Sequence, residues 1–288
     1  MKILSLFDGI SCGMVALKRA GINVSLYDAY EIDGNAIEIS RYNYSEINHK
    51  GDVFNAEYKK GEYDLLIGGS PCTYWSIARF GNDREVKSSG FGWELFMQYK
   101  RALDECSPKY FLYENNKSMS NEIREEITKT LGVRPIYINS NLLSAQNRPR
   151  LYWTNIPGVK VPEDKKIIMC DVLDFSENIF KPLGKWVYGK RGDTSRLERL
   201  STIKQKKANC LTTSKTHNEQ YYANEEKTLY TNLTVKQFEI LQTLPVGYVD
   251  NVNVKQTSKY RAIGNGWTVD VISYILKHIN GVKNEKTK

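Results

Sequence analysis

Apolar residues in the first half of the chain come in short runs separated by stretches with helical spacing. Residues 2–7 form an apolar run closed by Asp8-Gly9. Met14, Val15, Leu17 and Ala20 then recur at the three-to-four-residue interval of an amphipathic helix over 12–20. Gly21 stands where a helix C-terminus favours left-handed backbone. The alternation continues with a strand over 24–32, a helix over 35–42, a buried strand over 64–69, a helix over 92–106 and a strand over 110–113. A helix over 118–131, capped by Ser118 with Glu122 nearby, and strands over 136–139 and 151–155 complete it. Such alternation predicts an α/β protein with a doubly wound, mostly parallel sheet. Ligands of these sheets bind at the carboxyl ends of the strands, so the residues just after each apolar run are the candidates for chemistry.

The pattern breaks after Ile156-Pro157-Gly158. Residues 161–232 are polar and irregular, and helical periodicity returns at 234–244 and 267–279. The predicted organisation is a catalytic domain made of 1–160 plus 254–288, with an irregular module and hinge at 161–253. Residues 283–288 are expected to be a frayed tail.

Composition narrows the classes. With 41% hydrophobic and 26% charged residues over 288 positions, the chain suits one large globular domain or a large and a small one. No run approaches the roughly 20 apolar residues of a membrane span, and the N-terminal run breaks too early for a signal peptide. Five cysteines (Cys12, Cys72, Cys106, Cys170, Cys210) without CxxC spacing argue against a disulfide framework or a zinc site, and three histidines against histidine-based metal or triad chemistry. No metal is expected, and a reducing, cytoplasmic setting is.

Charge is unevenly placed. Residues 1–160 carry 20 basic and 19 acidic groups, whereas 161–288 carry 21 and 14, a net of +7. Within 177–230 there are 11 basic against 6 acidic groups, interleaved with Trp186, Tyr188, Tyr221 and Tyr222. A basic, aromatic-bearing segment favours a polyanion, most simply nucleic acid, although a solvated lysine-rich surface gives the same count. Lys204, Lys206 and Lys207 are its candidate phosphate contacts.

Several strand ends carry chemistry. Leu6-Phe7-Asp8-Gly9-Ile10-Ser11-Cys12-Gly13 closes the first strand and opens a helix, where backbone amides favour an anionic group, although a plain tight turn also explains it. Glu31-Ile32-Asp33 follows roughly 20 residues on, the spacing of an acid for ribose hydroxyls, with a helix-capping role the alternative for Asp33. Gly51-Asp52-Val53 offers another strand-end acid, suited to an adenine amino group. Gly68-Gly69-Ser70-Pro71-Cys72 is sharper: paired glycines and a proline set a thiol on a rigid loop, and a nucleophilic thiol needs its thiolate stabilised there. Glu114 ends the apolar run Tyr110-Phe111-Leu112-Tyr113, a setting that suits a carboxyl acting as an acid near neutrality; a helix-start carboxylate is the plainer reading. In Gln146-Asn147-Arg148-Pro149-Arg150, two arginines alternating on extended chain point to one side, toward a carbonyl or phosphate, or are a surface pair.

Taken in order, these motifs resemble the C5-cytosine DNA methyltransferase family. The match runs from residue 6 to 267 and adds Gly264-Asn265 to those above. Ser70-Pro71-Cys72 and Trp267 are most similar to the animal de novo-type enzymes and to small bacterial or phage enzymes like them. The resemblance implies a Rossmann-like methyltransferase fold with a small target-recognition domain, S-adenosylmethionine as cofactor, double-stranded DNA as partner and no membrane. A cognate restriction endonuclease, where one exists, acts separately. It further implies that Phe7, Asp8, Gly9, Ile10, Ser11 and Cys12 line the methionine and sugar, Glu31 the ribose and Asp52-Val53 the adenine. Ile32, Pro71, Leu95, Asn265, Gly266 and Trp267 complete the cofactor set. Cys72 is implied as the nucleophile on C6 of a flipped-out cytosine, Glu114 as the proton donor to N3, and Arg148 and Arg150 as holding the O2 side and the thiolate region. An RNA cytosine methyltransferase and a catalytically silent DNA-binding relative are the alternatives. Asn116, where the family usually has valine, and Ser11, where a second glycine is common, depart from the pattern.

Overall fold

Strand β1 (Lys2–Leu6) lies in the interior of a seven-stranded sheet ordered β3-β2-β1-β4-β5-β7-β6. The computed structural model describes residues 1–76, 84–183, 200–213 and 221–285, with backbone alone for 282–285. Trp186 and Tyr188 lie outside the described residues. Two compact units are present: Met1–Asn139, Pro149–Pro162 and Val269–Lys288 form the first, Ser140–Arg148 and Glu163–Thr268 the second.

In the first unit, helix α1 (Cys12–Arg19) follows β1, and Gly21 takes φ +71° just beyond its end. Then come β2 (Leu26–Tyr30), α2 (Gly34–Asn43), β3 (Asn48–Gly51), β4 (Leu65–Gly68), α3 (Phe91–Cys106), β5 (Tyr110–Asn116), α4 (Asn121–Leu131), β6 (Ile136–Asn139) and β7 (Pro149–Thr154). Strand β7 pairs antiparallel with both β5 and β6, and the other pairings in the sheet are parallel. The fold class is the one the periodicity predicts. β4 and β5 are buried along their whole length, as strands covered on both faces must be, which is why Leu65–Ile67 and Tyr110–Tyr113 read as apolar runs, and β5 buries Glu114, Asn115 and Asn116 as well. α3 buries Leu95, Phe96, Tyr99, Ala102 and Cys106, one stripe at helical spacing. The strand order reverses beside β1, between β2 and β4, which makes the carboxyl end of β1 the topological switch point of the sheet.

Boundaries shift for local reasons. The strand expected over 24–32 ends at Tyr30, because Glu31 leaves the ladder to accept the Gly9 amide. The cap of α4 is Ser120, whose hydroxyl accepts the Ile123 amide at 3.2 Å, and not Ser118. The C-terminal helix, α8 (Val269–Glu285), starts two residues later than expected, packs against α1 and pairs Asp270 with Arg19 at 2.6 Å.

The second unit holds a short antiparallel sheet, β8 (Lys181–Pro182), β10 (Leu229–Asn232) and β9 (Tyr221–Ala223), with helices α5 (Met169–Val172), α6 (Val235–Leu241) and α7 (Gln256–Asn265). Thr234 and Gln237 cap α6 reciprocally, each side chain meeting the other's backbone amide. Gly264 is a position for glycine alone: a Cβ there would lie 2.2 Å from the Thr212 carbonyl oxygen. The stretch 254–268 packs within this unit rather than with α8, so Asn265, Gly266 and Trp267 belong to it.

Candidate active site

The loop after β1 is fixed from within. Phe7 and Ser11 both hold left-handed backbone, at φ 56° and 58°, and Gly9 sits at φ 60°. Asp8 supports this run: its carboxylate accepts from Ser5 Oγ and Tyr27 OH at 2.6 Å and from Ser11 Oγ at 2.5 Å. Burial pushes the Asp8 carboxyl above its usual range, against the three hydroxyl donors that favour its charged form. Asp8, Ile10, Ser11 and Cys12 therefore shape the loop from its inner side, with the last three almost wholly buried. Glu31 closes the other flank: Oε2 accepts from Gly9 N and Oε1 from Ile32 N and Asp33 N, each at 2.8 Å. Burial raises its carboxyl too, against those amides.

Along these strand ends runs a cleft of about 710 Å³. Seven of the expected cofactor residues line it: Phe7, Glu31, Ile32, Asp52, Val53, Pro71 and Leu95. Tyr30, Gly51, Phe54, Thr73, Tyr74, Phe91 and Glu94 join them. The outer wall is aromatic, with Phe54 stacked on Phe91 at 6.1 Å and Tyr74 edge-on to Phe91 at 5.6 Å. Asp52 caps the next turn by accepting the Phe54 amide at 3.0 Å.

Cys72 begins a single 3-10 turn, Cys72–Tyr74, its carbonyl accepting from Trp75 N at 3.0 Å and Ser76 N at 2.9 Å. The loop carrying it is gripped by β5. Tyr113 and Asn115, two apart and so on one face, both reach Ser70: its hydroxyl meets Tyr113 OH at 2.6 Å, and Asn115 Nδ2 donates to its carbonyl at 3.0 Å. Tyr113 is wholly buried among Phe96, Tyr99 and Trp153, and that burial pushes its phenol up, keeping it protonated. On the opposite face Glu114 lies so close that a Cβ on Gly69 would stand 2.9 Å from its Oε2. Gly68 is as constrained, a Cβ there falling 2.7 Å from the Leu6 carbonyl.

Arg150 of β7 completes this edge: its Nε lies 3.0 Å from Glu114 Oε1, and both side chains are largely buried. Arg148 has different partners. Within the second unit its Nη1 donates to the Leu211 carbonyl at 3.1 Å and its Nη2 to those of Gly264 and Gly266 at 2.8 Å. The two arginines part because β7 begins at Pro149, so Arg148 is not on the strand. Gln146 also works inside the second unit, donating to the Leu241 carbonyl and accepting the Leu211 amide. Lys207, expected at a phosphate, instead donates its ammonium to the carbonyls of Asn141, Ser144 and Ile167, and burial lowers its proton affinity.

A model of the C-5 cytosine-specific DNA methylase family matches residues 1–156 and 176–281. The chain belongs to that family. Among its methylase relatives, the orphan methyltransferase M.Rho11sI of Bacillus phage rho11s is 29% identical over 93% of the chain, and the orphan methyltransferase M.SPRI of Bacillus phage SPR 29% over 94%. The chain spans 53% and 61% of the lengths of these two relatives. In fold it is similar to the Entamoeba histolytica methyltransferase EhMeth, with a TM-score of 0.74 at 15% identity over 97% of each chain. It is also similar to a Spodoptera frugiperda DNMT2 variant, with a TM-score of 0.68 at 16% identity over 96% of this chain and 99% of that one.

The residues of this site that sequence reasoning missed are the aromatic wall of Phe54, Tyr74 and Phe91 and the Tyr113 support beneath Ser70. No local spacing marks them, since each gains its place through a partner on another element. Among the described residues no cluster of His, Cys, Asp and Glu could hold a metal ion, and no helix is long and apolar enough to cross a membrane.

Proposed function

We propose that the chain is a DNA (cytosine-5) methyltransferase, taking its methyl from S-adenosylmethionine and acting on a cytosine swung out of double-stranded DNA. The observation that carries the reading is a single strand end: β5 grips the loop of Cys72 and presents Glu114, held by Arg150, beside a cleft of ligand size. The cleft suits the cofactor. Its volume lies within the ~300–1,000 Å³ of small-ligand sites, and Phe7, Val53, Pro71 and Leu95 offer apolar walls to a purine. Glu31 Oε2 holds one amide and keeps a lone pair suited to a ribose hydroxyl, whereas Oε1 already takes two amides. Asp52 serves the adenine amino group. When bound, S-adenosylmethionine supplies an electrophilic methyl on a positively charged sulfur.

The chain's own residues do the rest. C5 of cytosine is a poor nucleophile while the ring stays aromatic, so the Cys72 thiolate adds to C6, forming the S–C6 bond, moving the C5=C6 pair between C4 and C5 and the C4=N3 pair onto N3. Glu114 gives a proton to N3 as negative charge gathers there, and C5 becomes an enamine carbon able to take the methyl. Loss of the C5 hydrogen as a proton to a base rebuilds the double bond and expels Cys72 as thiolate, and N3 returns its proton to Glu114. Arg150 orients Glu114, and Arg148 acts through the carbonyls it holds. Stacking blocks this chemistry in an intact duplex, hence the flipped base.

Radiolabelled methyl from S-adenosylmethionine will enter cytosine of duplex DNA. Incorporation confined to transfer RNA would favour an RNA enzyme, and donor binding with no incorporation in either a silent relative.

The second unit is proposed to recognise the target. Lys206 is exposed there, and Lys204 is exposed opposite Glu225 at 3.5 Å. Lys206→Ala will lower the slope of log affinity against log salt by about one, as loss of one phosphate contact does. Lys207→Ala will instead lower the melting temperature, since its carbonyl partners lose their donor. An unchanged slope in Lys206→Ala places the DNA surface elsewhere.

A further inference from the structure

Asn116 departs from the family's usual valine at a nearly buried position, 5% exposed. A buried amide is costly unless its polar atoms are matched, and here they are. Its Nδ2 donates to the Cys72 carbonyl at 3.4 Å, its Oδ1 accepts from Ser118 Oγ at 3.0 Å, and its backbone N–H donates to Asn115 Oδ1 at 2.8 Å. The same Cys72 carbonyl takes the amides of Trp75 and Ser76 that close the cysteine turn. Arg84 then joins the far ends, with Nε donating to the Trp75 carbonyl at 3.1 Å and Nη2 to the Ser118 carbonyl. Cys72, Asn116, Ser118, Arg84 and Trp75 thus form a closed polar circuit between the end of β5 and the turn that bears the thiol. Valine at 116 would fill similar space on the strand but could make neither side-chain link.

We propose that Asn116 is a positioning residue for Cys72: through the Cys72 carbonyl it sets where the turn holds its thiol, with Ser118 orienting the amide. This rests on the reading of Cys72 as the nucleophile. A side chain two residues beyond Glu114 on the same strand face makes thiol and carboxylate share one rigid reference, the condition for a near-attack geometry.

The test uses the full chain carrying Asn116→Val, with Ser118→Ala and Cys72→Ser in parallel. Methyl transfer, melting temperature and the rate at which iodoacetamide alkylates Cys72, followed on its peptide by mass spectrometry across pH, are measured together. Asn116→Val is expected to lower kcat about tenfold, since small misplacements of a reacting group cost that much or more. KM for S-adenosylmethionine will stay within about twofold, and the pH profile of Cys72 alkylation will shift. Ser118→Ala will move the same readouts in the same direction by less. Wild-type kcat in Asn116→Val overturns the proposal. So does a loss of kcat matched by loss of folded protein with the alkylation profile unchanged. Turnover surviving in Cys72→Ser would sink the nucleophile reading itself. An inert Cys72→Ser beside a fully active Asn116→Val removes only the role given to Asn116.

Discussion

Cys72→Ser will abolish methyl transfer while leaving S-adenosylmethionine affinity within about twofold of wild type. The thiol stands at the start of a turn fixed by two amides on its own carbonyl, on a loop held from both faces of β5. Serine fits the same turn, so the fold has no reason to change. Chemistry does: a serine hydroxyl is a far weaker nucleophile near neutrality than a cysteine, part of which is thiolate there. Cys72 is not among the residues lining the cleft, so donor binding measured by calorimetry should survive. Retained turnover in this variant refutes the assignment, and loss of donor binding would mean that the loop has collapsed.

Glu114→Gln will cost both activity and stability, and a second substitution will separate them. Removing the acid should lower kcat by about 10²–10⁴-fold, the usual worth of a positioned proton donor. The same change takes the anionic partner from Arg150, whose side chain is only 13% exposed. Breaking a largely buried pair by neutralising one member costs about 3–5 kcal/mol, because the charge left behind loses that carboxylate. Adding Arg150→Met should recover much of the lost stability in a denaturant titration and none of the activity. If the double variant is no more stable than Glu114→Gln alone, the pair does not carry the stability given to it. If Glu114→Gln keeps wild-type kcat, the acid lies elsewhere.

The sheet was legible from the pattern because its inner strands are buried on both faces and the helices beside it carry one apolar stripe each. β1, β4 and α3 announce themselves this way. Helix α7 did not, since over Gln256–Asn265 its buried positions include Lys259 and Gly264 and its apolar anchors are few. Strand β3, Asn-His-Lys-Gly, is polar because it lies at the sheet edge. In the candidate site, Asp8, Glu31 and the cysteine loop stood out because each directly follows an apolar run, whereas Asp52 follows the polar β3. What stayed hidden depends on partners far away in sequence. Arg148 and Arg150 look equivalent two apart, yet one meets Glu114 and the other three carbonyls of the second unit. Lys207 looks like its neighbour Lys206, yet its ammonium sits among backbone oxygens.

The hydroxyl of Ser70 has a bearing on how such enzymes diverge. Wherever a lineage carries proline at this position, as the common Pro-Pro-Cys form does, a tyrosine in the place of Tyr113 would lose the oxygen that here lies 2.6 Å away. A buried phenol that loses this oxygen and keeps only the Asn115 amide, 3.2 Å away, costs about 1–3 kcal/mol. Passage between the two forms therefore asks for a companion change at the tyrosine, with phenylalanine the natural choice. The two positions should travel through descent as a pair.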